Sequence, residues 1–322
     1  MYKLYSIGEL LIDFMPNKVS ALKDVASFTK APGGAPANVA ATVAILGGQS
    51  QFIGQVGQDP FGDYLKATLD DANVNTETLF QTHKANTALA FVSLTESGQR
   101  EFMFYRHPSA DMLLDYKQLR GLKIQKDILH FCSVSLIESE TKYTHIRLID
   151  DFIHENGIIS FDPNLRFSLW PDKKALKETV LTFIPKADIL KISDEELTFI
   201  TGIEDVQSAI NSLFVGRVKA IIYSEGKEGS SLYLKNHQKH YEGFKVNTID
   251  TTGAGDAFIG AVLFQIQKHQ VDLSEITHNM WDEIMVFANG VAALTTTKKG
   301  AIPSIPKYDE VQSFVSSYRK AD

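Results

Sequence analysis

The chain has 322 residues, of which 44% are hydrophobic and 22% charged; this is ordinary globular composition and argues against a disordered chain. Its 32 Lys and Arg against 39 Asp and Glu give a formal net charge of -7, which argues against a general nucleic-acid or anionic-membrane binder, since either needs a basic face. With one cysteine, Cys132, there is no intramolecular disulfide, and the longest uncharged apolar run, Ala257–Ile266, is far short of the roughly 20 residues a membrane helix needs. A reducing cytoplasm is the expected setting.

Along the chain, short β-branched runs alternate with longer helical patterns. Strands are expected at 4–8, 51–56, 128–134, 158–162, 188–193 and 218–224. Helices are expected at 36–46, 60–73, 140–156, 173–184, 204–214, 256–268, 280–296 and 309–319. The strand runs are nearly continuous in apolar residues, as strands covered on both faces should be. This rhythm predicts an α/β fold with a mostly parallel central sheet and helices on both sides. Length alone allows two domains or one large one.

Two places depart from the rhythm. TALAFVSL (87–94) and REFMFYR (100–106) flank the turn TESGQ with no helix between them, which reads as an antiparallel hairpin. Segment 12–30 also lacks a helical pattern and is free to pair with that hairpin. Together they predict a small sheet, formed by about 12–32 and 86–112, standing off the α/β body. A third feature is the stretch from Ala31 to Gln58, which carries no charge and contains an Ala-rich helix able to approach its neighbours closely.

The sharpest chemical element is IDTTGAGDAFIGAVLF, Ile249 to Phe264. Gly253 and Gly255 let the backbone fold tightly just before an apolar helix. The first N–H groups of that helix have no internal partner, and the helix dipole adds partial positive charge there. Such a turn is an anion cradle suited to phosphate. Asp256 at the same point reads either as a simple helix cap or as a functional carboxylate. A P-loop is absent, and the dinucleotide fingerprint fails because Phe258 stands where Gly or Ala is required. The second element is APGGAPANVA, Ala31 to Ala40, in which Gly33 and Gly34 permit close backbone approach and Asn38 presents an amide from the first helical turn.

These two elements, about 215 residues apart, resemble the paired signatures of the ribokinase-like (PfkB) carbohydrate kinase family. The resemblance runs the length of the chain, through GQVGQDPFGDYL, ADILKISDEEL and ANGVAALTTTKKGAIPSIP. Within the family, REFMFYRHPSADMLL and FDPNLRFSLWPD are most similar to fructokinases. The resemblance implies a ribokinase-like three-layer fold with a β-sheet lid, over a single domain spanning 1–322. It implies ATP-dependent transfer of the γ-phosphoryl group to a sugar hydroxyl, with D-fructose as acceptor and 2-keto-3-deoxygluconate as the alternative.

Carried over by position, the resemblance makes Asp256 the catalytic base and Gly253, Ala254 and Gly255 the anion hole. It assigns Asp13, Gly33, Gly34, Asn38, Arg106 and Arg166 to the sugar, and Lys191, Ser224, Gly226, Gly229, Gly255 and Asn289 to ATP. Glu196 would support Mg²⁺ through water, although Ser193 replaces the Asn that many relatives carry three residues earlier. Asp250, Thr252, Gly300 and Ser304 match the positions that hold K⁺ in ribokinases. A homodimer formed through the lids is the expected assembly.

Overall fold

A computed structural model describes residues 2–18, 20–94 and 100–318. In chain order the strands are β1 (Leu4–Ile7), β2 (Leu11–Pro16), β3 (Phe28–Gly33), β4 (Ser50–Gly57), β5 (Asn75–Thr82), β6 (Leu89–Leu94), β7 (Arg100–Tyr105), β8 (Ile128–Cys132), β9 (Ile158–Asp162), β10 (Ile189–Ser193), β11 (Ala220–Ser224), β12 (Gly229–Leu234) and β13 (His237–Glu242). The α-helices are α1 (Ala35–Ile45), α2 (Pro60–Asp71), α3 (Glu140–His154), α4 (Lys173–Phe183), α5 (Asp194–Thr201), α6 (Val206–Ser212), α7 (Ala254–His269), α8 (His278–Thr295) and α9 (Tyr308–Tyr318).

Among the described residues these strands form two sheets. The larger has the order β13-β12-β11-β10-β9-β8-β1-β4-β5, parallel except for the antiparallel edge of β12 and β13. The smaller has the order β3-β2-β6-β7. Here β2 pairs in parallel with β6 and antiparallel with β3, so segment 12–30 does join the hairpin. The turn expected at 95–99 lies outside the described residues.

Core residues alternate along the strands, as the period of two requires. Leu190 and Ile192 of β10 pack on one face with Leu148 and Phe152 of α3, while Ile189 packs on the other with Val262 and Ile266 of α7. The Ala-rich α1 lies close against α7: a Cβ on Gly260 would stand 2.7 Å from Thr42 Cβ. No helix among the described residues is long and apolar enough to cross a membrane.

The structure adds elements that the sequence pattern does not announce. Strands β12 and β13 form a two-stranded antiparallel edge, and the exposed pattern of HQKHYE dilutes its strand signal. Helix α5 has only eight residues, too few for a clear period; local chemistry defines it. Ser193 and Glu196 form a reciprocal capping box at its start, and Gly202 closes it at φ 75°.

Candidate active site

A cavity of about 330 Å³ lies between the carboxyl ends of β1, β8, β9 and β10 and the small sheet. Leu11 and Asp13 of β2, Val92 of β6 and Phe104 of β7 wall it from the small sheet; Asn164, Lys191 and Asp256 wall it from the body. Open parallel sheets place ligands at this end of their strands.

Asp256 is the third residue of α7 and is 8% exposed. Its Oδ2 accepts from Asn38 Nδ2 at 2.8 Å and its Oδ1 from Asn164 Nδ2 at 3.0 Å. Burial pushes its pKa above the ordinary value of 3.8, although Asn38, Lys191, Arg166 and Asn164 pull the other way. Each of its oxygens still has a lone pair to offer a hydroxyl. The other amide oxygen, Asn38 Oδ1, is buried with no hydrogen-bond partner among the described residues.

Gly253 opens α7 at φ 76°, with Ala301 packed so closely that a Cβ there would stand 2.6 Å from Ala301 Cβ. The N–H of Ala254 donates to Thr251 O at 3.2 Å. That leaves the first-turn N–H groups of Gly255 and Asp256 as the ones without a carbonyl one turn earlier. A Cβ on Gly255 would meet no backbone but would touch Lys191 Nζ, at 3.4 Å.

Gly255 and Thr251 line a second cavity as well, of about 570 Å³. Ser224, Gly226, Gly229 and Asn289, all expected on the nucleotide side, line this second cavity. Asn289 acts there as a brace rather than a free reader. Its Oδ1 accepts from Ser230 Oγ and its Nδ2 donates to the carbonyls of Tyr241 and Glu242. Lys191 is elsewhere: it lines the first cavity, 3.0 Å from Asp162 Oδ2. Burial pushes the Asp162 carboxyl up to about 7, against the pull of the Lys191 ammonium. Burial acts to lower the Lys191 value, but Asp162, Glu196 and Asp256 outweigh it and hold the lysine above its ordinary range.

Of the residues expected to meet the sugar, Asp13, Gly34, Asn38 and Arg166 all line the first cavity. Gly33 lies beside it, where a Cβ would run into the Asp13 carboxylate. Gly34, at φ 115°, has the carbonyl of Glu9 where its Cβ would be. Arg106 is not part of the lining. It is 3% exposed, with Nε 2.6 Å from Asp111 Oδ2 and Nη1 donating to Val134 O at 3.0 Å.

Asp250, Thr252, Gly300 and Ser304 do come together. Asp250 Oδ1 accepts from the N–H and the hydroxyl of Thr252, its Oδ2 accepts from Gly300 N–H, and Ser304 Oγ donates to Gly300 O. Both oxygens of Glu196 accept backbone N–H groups, from Leu165 at 2.8 Å and Ser193 at 2.9 Å. Three further residues of the site escape sequence reasoning. Asn164 lies within FDPNLR, and its φ of 44° turns its amide to Asp256. Asp162 ends β9 and Glu9 joins β1 to β2, each beside apolar residues, which is the one local signal they carry.

The model of the pfkB family of carbohydrate kinases matches residues 1–308. The chain is 45% identical over 309 residues to probable fructokinase-6, chloroplastic, of Arabidopsis thaliana, covering 94% of this chain and 80% of that protein. A double mutant of Vibrio cholerae O395 fructokinase, solved with fructose, ADP and potassium ion bound, is 33% identical with a TM-score of 0.87 over 98% of both chains. Fructokinase from Xylella fastidiosa with bound ATP is 31% identical with a TM-score of 0.89, over 98% of this chain and 99% of that one.

Proposed function

This chain belongs to the pfkB family of carbohydrate kinases, and on that premise we propose that it transfers the γ-phosphoryl group of ATP to D-fructose, giving fructose 6-phosphate and ADP. The observation that carries this reading is the position of Asp256. A buried carboxylate stands at the N-terminus of α7, where an acceptor-sized cavity and a larger one share Gly255 and Thr251.

In this mechanism Asp13 accepts sugar hydroxyl hydrogens, and a polyol hydroxyl supplies the donor that Asn38 Oδ1 lacks. The N–H groups of Gly255 and Asp256 and the Lys191 ammonium face the transferring phosphoryl group. The acceptor oxygen bonds to phosphorus as the bond to the leaving ADP oxygen breaks. Asp256 takes the hydroxyl proton in the same step, and its raised pKa suits that task. Phe104 and Val92 hold water out from the side of the small sheet, which acts as a lid.

Glu196 fits a role toward Mg²⁺ through water, because both its oxygens already accept backbone N–H groups. When bound with ATP, the metal neutralises phosphate charge. The oxygen-rich cluster of Asp250, Thr252, Gly300 and Ser304 suits K⁺.

The reading with a keto-sugar acid as acceptor is less well supported. Its carboxylate calls for an arginine; Arg106 is committed to Asp111, which leaves that task to Arg166 of the cavity lining. Glu9, Asp13, Glu195, Glu196 and Asp256 line the first cavity against Lys191 and Arg166, a balance that repels an anion.

We also propose a homodimer formed through the lids. Leu11, Asp13 and Met15 face the cavity, so the alternate residue Phe14 faces away. It stacks on Phe91 at 4.8 Å, in a cluster with Phe28 and Tyr105. Tyr105 is 55% exposed, which leaves apolar surface for a partner to cover. A cytoplasmic setting fits the free, buried Cys132.

The test is steady-state release of ADP with a panel of acceptors. The kcat/KM for fructose should exceed that for 2-keto-3-deoxygluconate by at least about tenfold. Ribose and adenosine should be poorer still. A faster keto acid overturns the choice of acceptor, and no turnover with any sugar overturns the kinase reading.

A further inference from the structure

Glu9 connects β1 to β2, at the root of the small sheet, and is 2% exposed. Its carboxylate lines the first cavity, and Oε2 accepts from Ser135 Oγ at 2.7 Å. Among the described residues no cation stands within ion-pair distance of it. The cation whose charge acts on it, Arg106, gives its Nε to Asp111 and its Nη1 to the Val134 carbonyl. Burial accordingly raises the Glu9 pKa, with Arg106 and Ser135 offsetting part of the effect. A carboxylate buried without a paired cation is destabilising unless hydrogen-bond donors meet it. The Ser135 hydroxyl and Glu9's own backbone N–H supply donors from the protein. The remaining acceptor capacity lies on a cavity whose wall also holds the unpartnered Asn38 Oδ1.

We propose that Glu9 is a specificity-determining residue that accepts a hydroxyl hydrogen of the bound sugar, with Ser135 fixing its orientation. The inference rests on the reading of the first cavity as the acceptor site, and it adds a polyol contact beyond Asp13 and Asn38. It selects for a neutral, hydroxyl-rich acceptor: an alcohol donates to a carboxylate, whereas a carboxylate or phosphate on the substrate at this point is repelled. A purely structural Glu9 would instead act as an anchor at the root of the lid, and its loss would register in stability rather than in sugar affinity.

The experiment uses the near-isosteric Glu9→Gln, with Ser135→Ala as a second, milder variant. Fructose binding is measured by calorimetry and turnover by ADP release, with fructose and its single-deoxy analogues. Glu9→Gln should weaken fructose binding by about 10- to 100-fold, the usual weight of a hydrogen bond to a charged group. The KM for ATP and kcat should stay within a few-fold. Ser135→Ala should move sugar affinity in the same direction by less. One deoxy analogue, lacking the hydroxyl that Glu9 holds, should bind the wild type and Glu9→Gln equally. Equal losses for every analogue, or unchanged fructose affinity with a lowered Tm, overturn the assignment. A wild-type protein that binds fructose without phosphorylating it sinks the kinase reading alone. One that binds no polyol sinks both.

Discussion

Asn38 Nδ2 lies 2.8 Å from Asp256 Oδ2, joining the first turn of α1 to the first turn of α7 across 218 positions of sequence. The amide favours the charged carboxylate while burial disfavours it, and burial wins. The kcat/KM should therefore fall on the acid side around a pKa above 3.8, the base being active only when deprotonated. Asn38→Ala removes a donor to the charged form, so the acid limb should move to higher pH. Asp256→Asn should lower kcat by roughly 10²–10⁴-fold. A pH–rate profile of the three proteins checks these signs, and an acid limb that Asn38→Ala leaves in place refutes the coupling.

The same shift predicts a stability effect. The folded state holds the Asp256 proton more tightly than the unfolded chain, so its contribution to stability declines as pH rises from the unfolded value through the raised one. Asp256→Asn should then be at least as stable as the wild type at neutral pH. Thermal melts at pH 4 and pH 7 measure it, and a larger deficit at pH 7 than at pH 4 contradicts the sign.

Two glycines a single residue apart should respond in opposite ways. Gly253 has a left-handed φ and Ala301 against it, so Gly253→Ala should destabilise the fold by about 1–3 kcal/mol. Gly255 has no left-handed φ, and a Cβ there would meet the movable end of Lys191 rather than backbone, so Gly255→Val should leave the melting temperature near that of the wild type while turnover is lost. Near-normal activity of Gly255→Val would place the transferring phosphate elsewhere.

Arg106 and Asp111 form a buried pair, and removing one partner strands the other. Arg106→Met should cost about 3–5 kcal/mol in denaturant unfolding, and adding Asp111→Asn should recover part of it. Lack of any recovery would show that Arg106 acts through some other partner.

Closure of the small sheet over bound sugar should slow amide exchange in β6 and β7 when fructose is added. The comparison is hydrogen exchange with and without saturating fructose, and identical rates argue against a closing lid.

Residues whose role is written in neighbouring sequence were legible beforehand. The turn before Asp256, the charge-free approach to Asn38 and the alternation of strands with helices all depend on residues close in sequence. Arg106 shows where such reasoning stops. An arginine after an aromatic strand looks available to a substrate until Asp111 is seen five positions on, folded back onto it. Asn164 and Glu9 are likewise ordinary in their local context, and distant contacts with Asp256 and Ser135 give them their chemistry. Asp250, Thr252, Gly300 and Ser304 are grouped in sequence by family resemblance alone, since the outermost two are 54 positions apart and the four share no local period. The edge strand β13 carries little strand signal because its solvated face has a weak apolar pattern, and the buried β12 is short and opens on Gly229, Ser230 and Ser231.

The strand order gives the protein a direction in time. The chain enters the large sheet at β1, third from one edge, builds outward to β5, and returns beside β1 as β8 before it adds the remaining strands on the other side. A ribosome therefore releases Asp13, Asn38 and the strands of the small sheet well before α7. A nascent chain that ends short of Ala254 carries much of the wall of the first cavity but neither Asp256 nor the N-terminus of α7. The first cavity is completed late in synthesis, when α7 docks along α1 and Gly260 admits Thr42.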